Sequence, residues 1–342
     1  MKHLGHASRC MLALLLASVL LLSGCSSSSK PIESTELEMT VVGSCEGYDI
    51  YYDELRYVTL SYKDIMESYY GEGIWDDAAT AEKYLPELRE LVMKNLTANY
   101  AVLAHCETFM IDINADPIQE AVQESIDQMV AEIGGREAYR EALAQMYLTD
   151  RLVRFTVGTD VCHNELMYAM MDIDLIISDQ LEFLTYAQED GFCAVYHIYI
   201  ANDEGESVED NRKKAEEALA KLRSGTEMKK MLGSIYNEDV YLVSDPYYFT
   251  RGEYDEAYEE VAFDLEIGEI SDIVQTEDGF YILQRQPLDQ DYLVRNLTEL
   301  MQRYQYASVE SLVRDLQKDL TVELNEFGQS LDLLSITMSE QE

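Results

Sequence analysis

The stretch from Cys193 to Gln286 constrains the fold of this chain more than any other. It opens on Cys193-Ala194-Val195-Tyr196-His197-Ile198-Tyr199-Ile200, an alternating strand. A charged helical run, Asp210 to Leu222, follows, then the short segment Ile235-Tyr236-Asn237-Glu238-Asp239 and the aromatic run Tyr247-Tyr248-Phe249. Phe263-Asp264-Leu265-Glu266-Ile267-Gly268-Glu269-Ile270-Ser271 then leads through Thr276 to Gly279-Phe280-Tyr281-Ile282-Leu283. A strand, helices and a closing hairpin describe a small α+β domain.

On both sides of it the period changes to that of helices. Leu88, Val92, Leu96, Tyr100 and Leu103 make one stripe, with His105 and Cys106 at its end. Asp116-Pro117 opens a helix with Asp116 as N-cap, an apolar face of Ile118, Val122, Ile126, Met129 and Ile133, and Gly134-Gly135 as its end. Further helices are expected over 53–70, 137–146 and 149–156, then from near His163 to Met171, and from a Ser178 cap to Ala187. After Pro287, Leu293, Leu297, Leu300 and Tyr304 form one stripe, and Val309, Leu312, Val313, Leu316 and Leu320 another. Leu37 to Tyr52 reads as a hairpin about Glu46-Gly47, and Leu331 to Met338 as a final strand.

Charge narrows the partners. The 342 residues carry 25 Lys and Arg against 66 Asp and Glu, a net −41, so a polyphosphate would be repelled and nucleic acid is not an expected partner. No metal or other cofactor is expected either: Cys45, Cys106, Cys162 and Cys193 are scattered with no Cys-X-X-Cys, and histidines are few. These cysteines read as buried free thiols, or as one disulfide if the chain is exported.

The N-terminal sequence reads as an address. Lys2, His3 and Arg9 precede the apolar run Met11 to Leu22, too short to span a bilayer and of signal-sequence length. Leu22-Ser23-Gly24-Cys25 resembles a bacterial lipobox, which implies cleavage before Cys25 and lipidation of its sulfur; a plain secretory signal with an incidental cysteine is the alternative. Ser26 to Thr35 then reads as a polar tether.

The order of elements from 193 to 286 resembles the parvulin family of peptidyl-prolyl isomerases. His197-Ile198-Tyr199-Ile200 matches that family's opening strand, Tyr236-Asn237-Glu238-Asp239 its Tyr-Ser-X-Asp segment, Leu265 to Ser271 its Leu-X-X-Gly-Glu-Ile-Ser run, and Gly279 to Leu283 its closing strand. The resemblance implies catalytic positions at His197, at Asp239 and at Tyr281, which stands where the family has a second histidine. It implies substrate-binding positions at Phe249, Tyr254, Tyr258, Phe263, Thr276 and Asp278, with Tyr254 and Tyr258 where the proline slot carries Met and Phe. Pro246 falls where the family has Leu. Each position also has a structural explanation: His197 bonding within the sheet, Asp239 capping a helix end, Tyr254 and Tyr258 forming one helix face, Tyr281 filling the sheet. The loop Asn202 to Ser207 is acidic, which disfavours a phosphorylated substrate.

Helices before this segment, and helices plus a strand after it, look like the SurA and PrsA type of extracytoplasmic foldase. The implied fold class is α+β: a small parvulin-like α/β domain at 191–287, inserted in a mostly helical chaperone-like domain built from N- and C-terminal segments, 38–190 and 288–342. Residues 1–24 would be the signal peptide and 25–37 a flexible tether. The strand near Val41 would pair with one near Ile336. The implied function is a lipid-anchored peptidyl-prolyl isomerase and foldase on the extracytoplasmic face of the cell membrane, with unfolded or newly exported polypeptides as partners. The alternative is a non-catalytic holdase with a degraded parvulin domain, for which the 25 tyrosines supply apolar contact with a polar handle.

Overall fold

The computed structural model describes residues 32–202, 208–239, 241, 245–276 and 278–337. The expected signal segment, Cys25, the first part of the expected tether and residues 203–207 of the acidic loop lie outside the described residues. Residues 170–311 form one compact unit; 32–169 with 312–337 belong to the other. The chain passes between them inside two long helices.

The second unit starts with the hairpin the sequence predicts, β1 (Val41–Cys45) and β2 (Tyr48–Tyr51). Helix α1 (Tyr52–Tyr70) follows directly, and Glu54 in its first turn accepts the Tyr51 amide at 3.2 Å. The stripe Leu88 to Leu103 is divided between α2 (Ala78–Leu96), capped by the Asp77 carboxylate on the Thr80 amide, and α3 (Ala98–Thr108). Thr97 at the junction keeps a near-helical backbone, so the apolar phase carries across the break. In α4 (Asp116–Ile133) the N-cap is Ala115; Asp116 lies inside the first turn, where its charge suits the helix dipole. After α5 (Arg136–Gln145), one helix, α6 (Asp150–Asp172), replaces the two expected. Thr156, Val157, Gly158 and Thr159 are weak helix formers, but Leu152, Val153, Val157, Cys162, Leu166 and Met170 are all buried along it, and packing decides.

The first unit continues with α7 (Gln180–Tyr186), capped by Asp179 and not Ser178: its carboxylate accepts the Leu181 and Glu182 amides at 2.9 Å. A π turn, Ala187–Gly191, leads into β3 (Cys193–Ala201). Then come α8 (Val208–Arg223), the short α9 (Met228–Met231), β4 (Tyr247–Phe249), α10 (Glu256–Asp264), β5 (Val274–Gln275) and β6 (Gly279–Gln286). The sheet is antiparallel in order β4-β3-β6-β5. Central β3 is covered on both faces. Tyr196, Ile198 and Ile200, with Phe280 and Ile282, meet Ala215, Ala218, Leu219 and Leu222 of α8. On the opposite face Cys193, Val195 and Leu283 meet Phe249, Tyr258 and Ala262. At Gly279 a Cβ would sit 2.1 Å from the Ile200 carbonyl, so only glycine lets β6 start this close to β3.

This unit is broader than 191–287. Phe183 of α7, Leu293 of α11 (Gln290–Arg295), and Leu300 and Met301 of α12 (Leu297–Gln317) cover Phe192, Ala194 and Tyr248.

Past α12 the chain completes the other sheet through β7 (Glu323–Leu324), which pairs with β1 to give the order β2-β1-β7. A Cβ on Gly43 would meet the Glu323 carbonyl at 2.6 Å, which is why β1 carries glycine there. After α13 (Glu326–Ser330), Leu331 to Thr337 forms no strand, contrary to expectation. The edge of β1 is already taken by β7. Leu333 and Ile336 are buried in irregular backbone whose carbonyls at Leu334 and Ile336 accept from the Lys63 ammonium, both at 2.9 Å. All four described cysteines are buried free thiols, and among the described residues no helix is long and apolar enough to cross a membrane.

Candidate active site

The α10-covered face of the sheet carries the site. Alternation along β3 puts His197 on the same face as Cys193 and Val195, and it is buried. β4 pairs with β3 only as far as Val195, so the remaining edge of β3 is open to side chains. The 237–239 segment fills it. The Asn237 carbonyl oxygen Oδ1 accepts the Tyr199 amide at 2.9 Å, the Glu238 amide donates to the Tyr199 carbonyl at 2.8 Å, and Glu238 Oε2 accepts the Ala201 amide at 2.6 Å. This docking brings Asp239 to the imidazole: Oδ2 lies 3.0 Å from His197 Nε2.

Two phenols complete the polar array. Tyr258, from α10, has its hydroxyl 2.9 Å from His197 Nδ1. Tyr247, from β4, donates to Asp239 Oδ2 at 2.9 Å, and the Tyr241 amide donates to Oδ1 at 2.8 Å. Burial opposes the Asp239 charge, but the bonds from His197, the Tyr241 amide and the Tyr247 hydroxyl together outweigh it and hold the carboxyl down at about 2. Burial, and for Tyr247 also the Asp239 carboxylate, pushes both phenols above their ordinary range.

Of the positions the sequence points to, most converge here. Phe249 meets Tyr254, Tyr258 and Phe263 at ring-centroid distances of 4.8, 5.6 and 5.7 Å, and Tyr254 stacks on Tyr258 at 4.9 Å. Tyr281 stands edge-on to His197 at 5.3 Å, but its closest ring partner is Tyr199, stacked at 4.6 Å. Phe249 and Tyr258 are 0% and 1% exposed, so in this conformation they support the site from beneath; Tyr254 and Phe263 are half-buried. Thr276 and Asp278 stand apart. The Thr276 amide closes the hairpin on the Gly279 carbonyl at 2.9 Å, and the Asp278 carbonyl accepts the Asn202 amide at 2.7 Å and the Tyr199 hydroxyl at 3.2 Å. The Gly268-Ser271 run is an edge for β6: Ser271 exchanges bonds with Leu283 through its amide at 2.9 Å and its Oγ at 2.8 Å.

Tyr247 is the residue the sequence analysis passes over as a site residue. Its only signal there is its place two residues before Phe249, on the same face of a strand. Among the described residues no group of three His, Cys, Asp or Glu side chains is arranged for a metal ion.

Residues 197–286 match the Rotamase family, described as the PPIC-type PPIASE domain, and this segment is a domain of that parvulin class. Beyond that segment the chain is similar to PrsA foldases over part of its length. It is 24% identical over 227 residues to the foldase protein PrsA of Staphylococcus aureus strain MRSA252, spanning 63% of this chain and 67% of that protein. Among solved structures it is similar to the peptidylprolyl isomerase PrsA of Bacillus anthracis, at 16% identity and a TM-score of 0.35, over 66% of this chain and 96% of that one. It is also similar to PrsA of Streptococcus pneumoniae, at 15% identity and a TM-score of 0.32, over 82% and 92%.

Proposed function

We propose that the chain is a lipid-anchored peptidyl-prolyl cis-trans isomerase and foldase that assists exported polypeptides at the outer face of the cell membrane. The observation that carries the catalytic part is the His197 to Asp239 contact of 3.0 Å inside an aromatic enclosure. Isomerisation breaks no covalent bond. Its barrier, about 20 kcal/mol, is the amide resonance lost as the C–N bond twists. A catalyst therefore needs an apolar seat for the ring and fixed polar groups that favour the twisted amide over the planar one. Tyr254 and Phe263 are the seat, over a floor of Phe249 and Tyr258. His197 and Asp239 are the polar wall, with the edge of the Tyr281 ring beside the imidazole, and Thr276 and Asp278 lie at the closing hairpin. An ionised Asp239 is a permanent charge that needs no rearrangement during the twist.

A holdase without turnover is the second reading, favoured by the complete burial of Phe249 and Tyr258. A protease-coupled assay on proline peptides, run beside an aggregation assay on an unfolded client, separates them. Isomerisation that His197→Ala abolishes supports the enzyme; suppression of aggregation with no isomerisation at high protein concentration supports the holdase.

The rest of the proposal concerns organisation and place. Residues 1–24 are a leader, Cys25 takes the lipid, 25–37 is a tether, and the helical segments within 38–190 and 288–342 that do not pack on the sheet cradle the client while 191–287, with the helices packed on it, acts on its prolines. The match to PrsA supports this, as does Leu22-Ser23-Gly24-Cys25. Lipid labelling and membrane retention that persist in Cys25→Ala would refute the anchor.

A further inference from the structure

We infer that Tyr258 and Tyr247 are positioning residues: Tyr258 holds His197 in its Nε2-protonated form, and Tyr247 holds the Asp239 oxygen that accepts from it. This rests on the isomerase reading above. The Asp239 carboxylate is acceptor-only, so the 3.0 Å contact requires the proton on His197 Nε2. A neutral imidazole has a single N–H, so Nδ1 is an acceptor and the Tyr258 hydroxyl is the donor across 2.9 Å. Tyr258 stands nearly perpendicular to the imidazole, at 84°, and is 1% exposed. No bulk water competes for Nδ1, and Tyr258 reaches a substrate only through His197. Tyr281 and Tyr247 also lie beside the imidazole, both at 5.3 Å between ring centroids, and give it ring contact and no hydroxyl bond.

Tyr247 acts on the other member of the pair. It donates to the same Oδ2 that accepts from His197 and leaves Oδ1 to the Tyr241 amide. The array runs one way: Tyr258 donates to His197, His197 to Asp239, and Tyr247 to Asp239. Tyr258 on α10 thus fixes the tautomer of the imidazole, and Tyr247 on β4 fixes the carboxylate oxygen that it donates to. Among the described residues the titratable groups facing it are Asp239, Tyr247, Tyr258 and Tyr281.

The test is nitrogen NMR of the full chain labelled at histidine nitrogens, with His197 assigned by loss of its signals in His197→Gln. The wild type is expected to show a protonated Nε2 and an unprotonated, hydrogen-bonded Nδ1 near neutral pH. Tyr258→Phe should shift the Nδ1 signal or mix the tautomers, and lower kcat about tenfold with KM nearly unchanged. Tyr247→Phe should leave the tautomer in place and raise the midpoint of the Asp239 carboxyl titration. A wild type with the proton on Nδ1 overturns the inference without any variant, so it survives a Tyr258→Phe protein that fails to fold. Retention of the wild-type nitrogen spectrum and rate in a folded Tyr258→Phe protein also overturns it. Failure of the isomerase reading looks different: the expected nitrogen spectra with no turnover in the wild type.

Discussion

Tyr281 lies directly opposite Tyr199 across β6 and β3, and their rings stack 4.6 Å apart at 21°. The Tyr281 side chain is thus committed to the sheet, while His197 has both nitrogens engaged elsewhere. A histidine at position 281 would find no free nitrogen on His197. Tyr281→His is therefore expected to leave isomerisation within about threefold of wild type and to cost about 1 kcal/mol of stability from the lost stack. In a Tyr258→Phe background, where Nδ1 is free, the same substitution should recover part of the lost rate. Rates and urea midpoints of the two single variants and the double variant check this.

The Asp239 carboxyl titrates at about 2 in the fold, against an unfolded value near 3.9. A depressed pKa means that the unfolded chain binds the proton more readily. The stabilisation is therefore fully present above about pH 4 and is lost as pH falls through 2. Asp239→Asn should be less stable than wild type at pH 6, and the gap should narrow between pH 4 and pH 2. Denaturant midpoints of both proteins across that range test it; a gap that widens on acidification would contradict it.

What the sequence made legible follows from what periodicity can carry. The β3 and β6 patterns survive because both strands are buried in one sheet, so alternation and apolar content agree. The division at Thr97 is invisible because the junction keeps helical phase between Leu96 and Tyr100. β7 is two residues long, below what any pattern reports, while Leu331 to Thr337 has a strand's composition without a free edge to join. The Tyr258 hydroxyl contact depends on α10 crossing β3 at the right height, which residue spacing within α10 does not encode. His197 and Asp239, by contrast, sit in recognisable local runs.

Lys63 ties the end of the described chain to α1. Its ammonium is buried and bonds the Leu334 and Ile336 carbonyls, holding Leu333 and Ile336 in the core. Lys63→Met keeps the stem but leaves two carbonyls without this donor, at a cost of roughly 2–4 kcal/mol. Limited proteolysis should then cut within 331–337 much faster than in wild type, with α1 intact. Equal cleavage rates would show that the apolar contacts suffice.

The extent of the catalytic unit gives the last prediction. Phe192, Ala194 and Tyr248 are covered by Phe183, Leu293, Leu300 and Met301, all of which lie outside 191–287. Burying a Leu, Phe or Met side chain contributes about 1.5–3 kcal/mol, so removing these four forfeits roughly 6–12 kcal/mol. That is comparable to the whole stability of a typical domain, about 5–15 kcal/mol. Tyr248 would also lose the stacked Tyr292 ring, 4.0 Å away, and its carbonyl would lose the Arg303 guanidinium at 2.7 Å. A fragment 191–287 is expected to be unfolded or loosely packed, with no cooperative urea transition. A fragment 170–311 should unfold cooperatively. Near-ultraviolet circular dichroism and urea titration of the two fragments decide it. Equal cooperativity would mean that the helices around Phe183 and Leu300 shield the sheet without stabilising it.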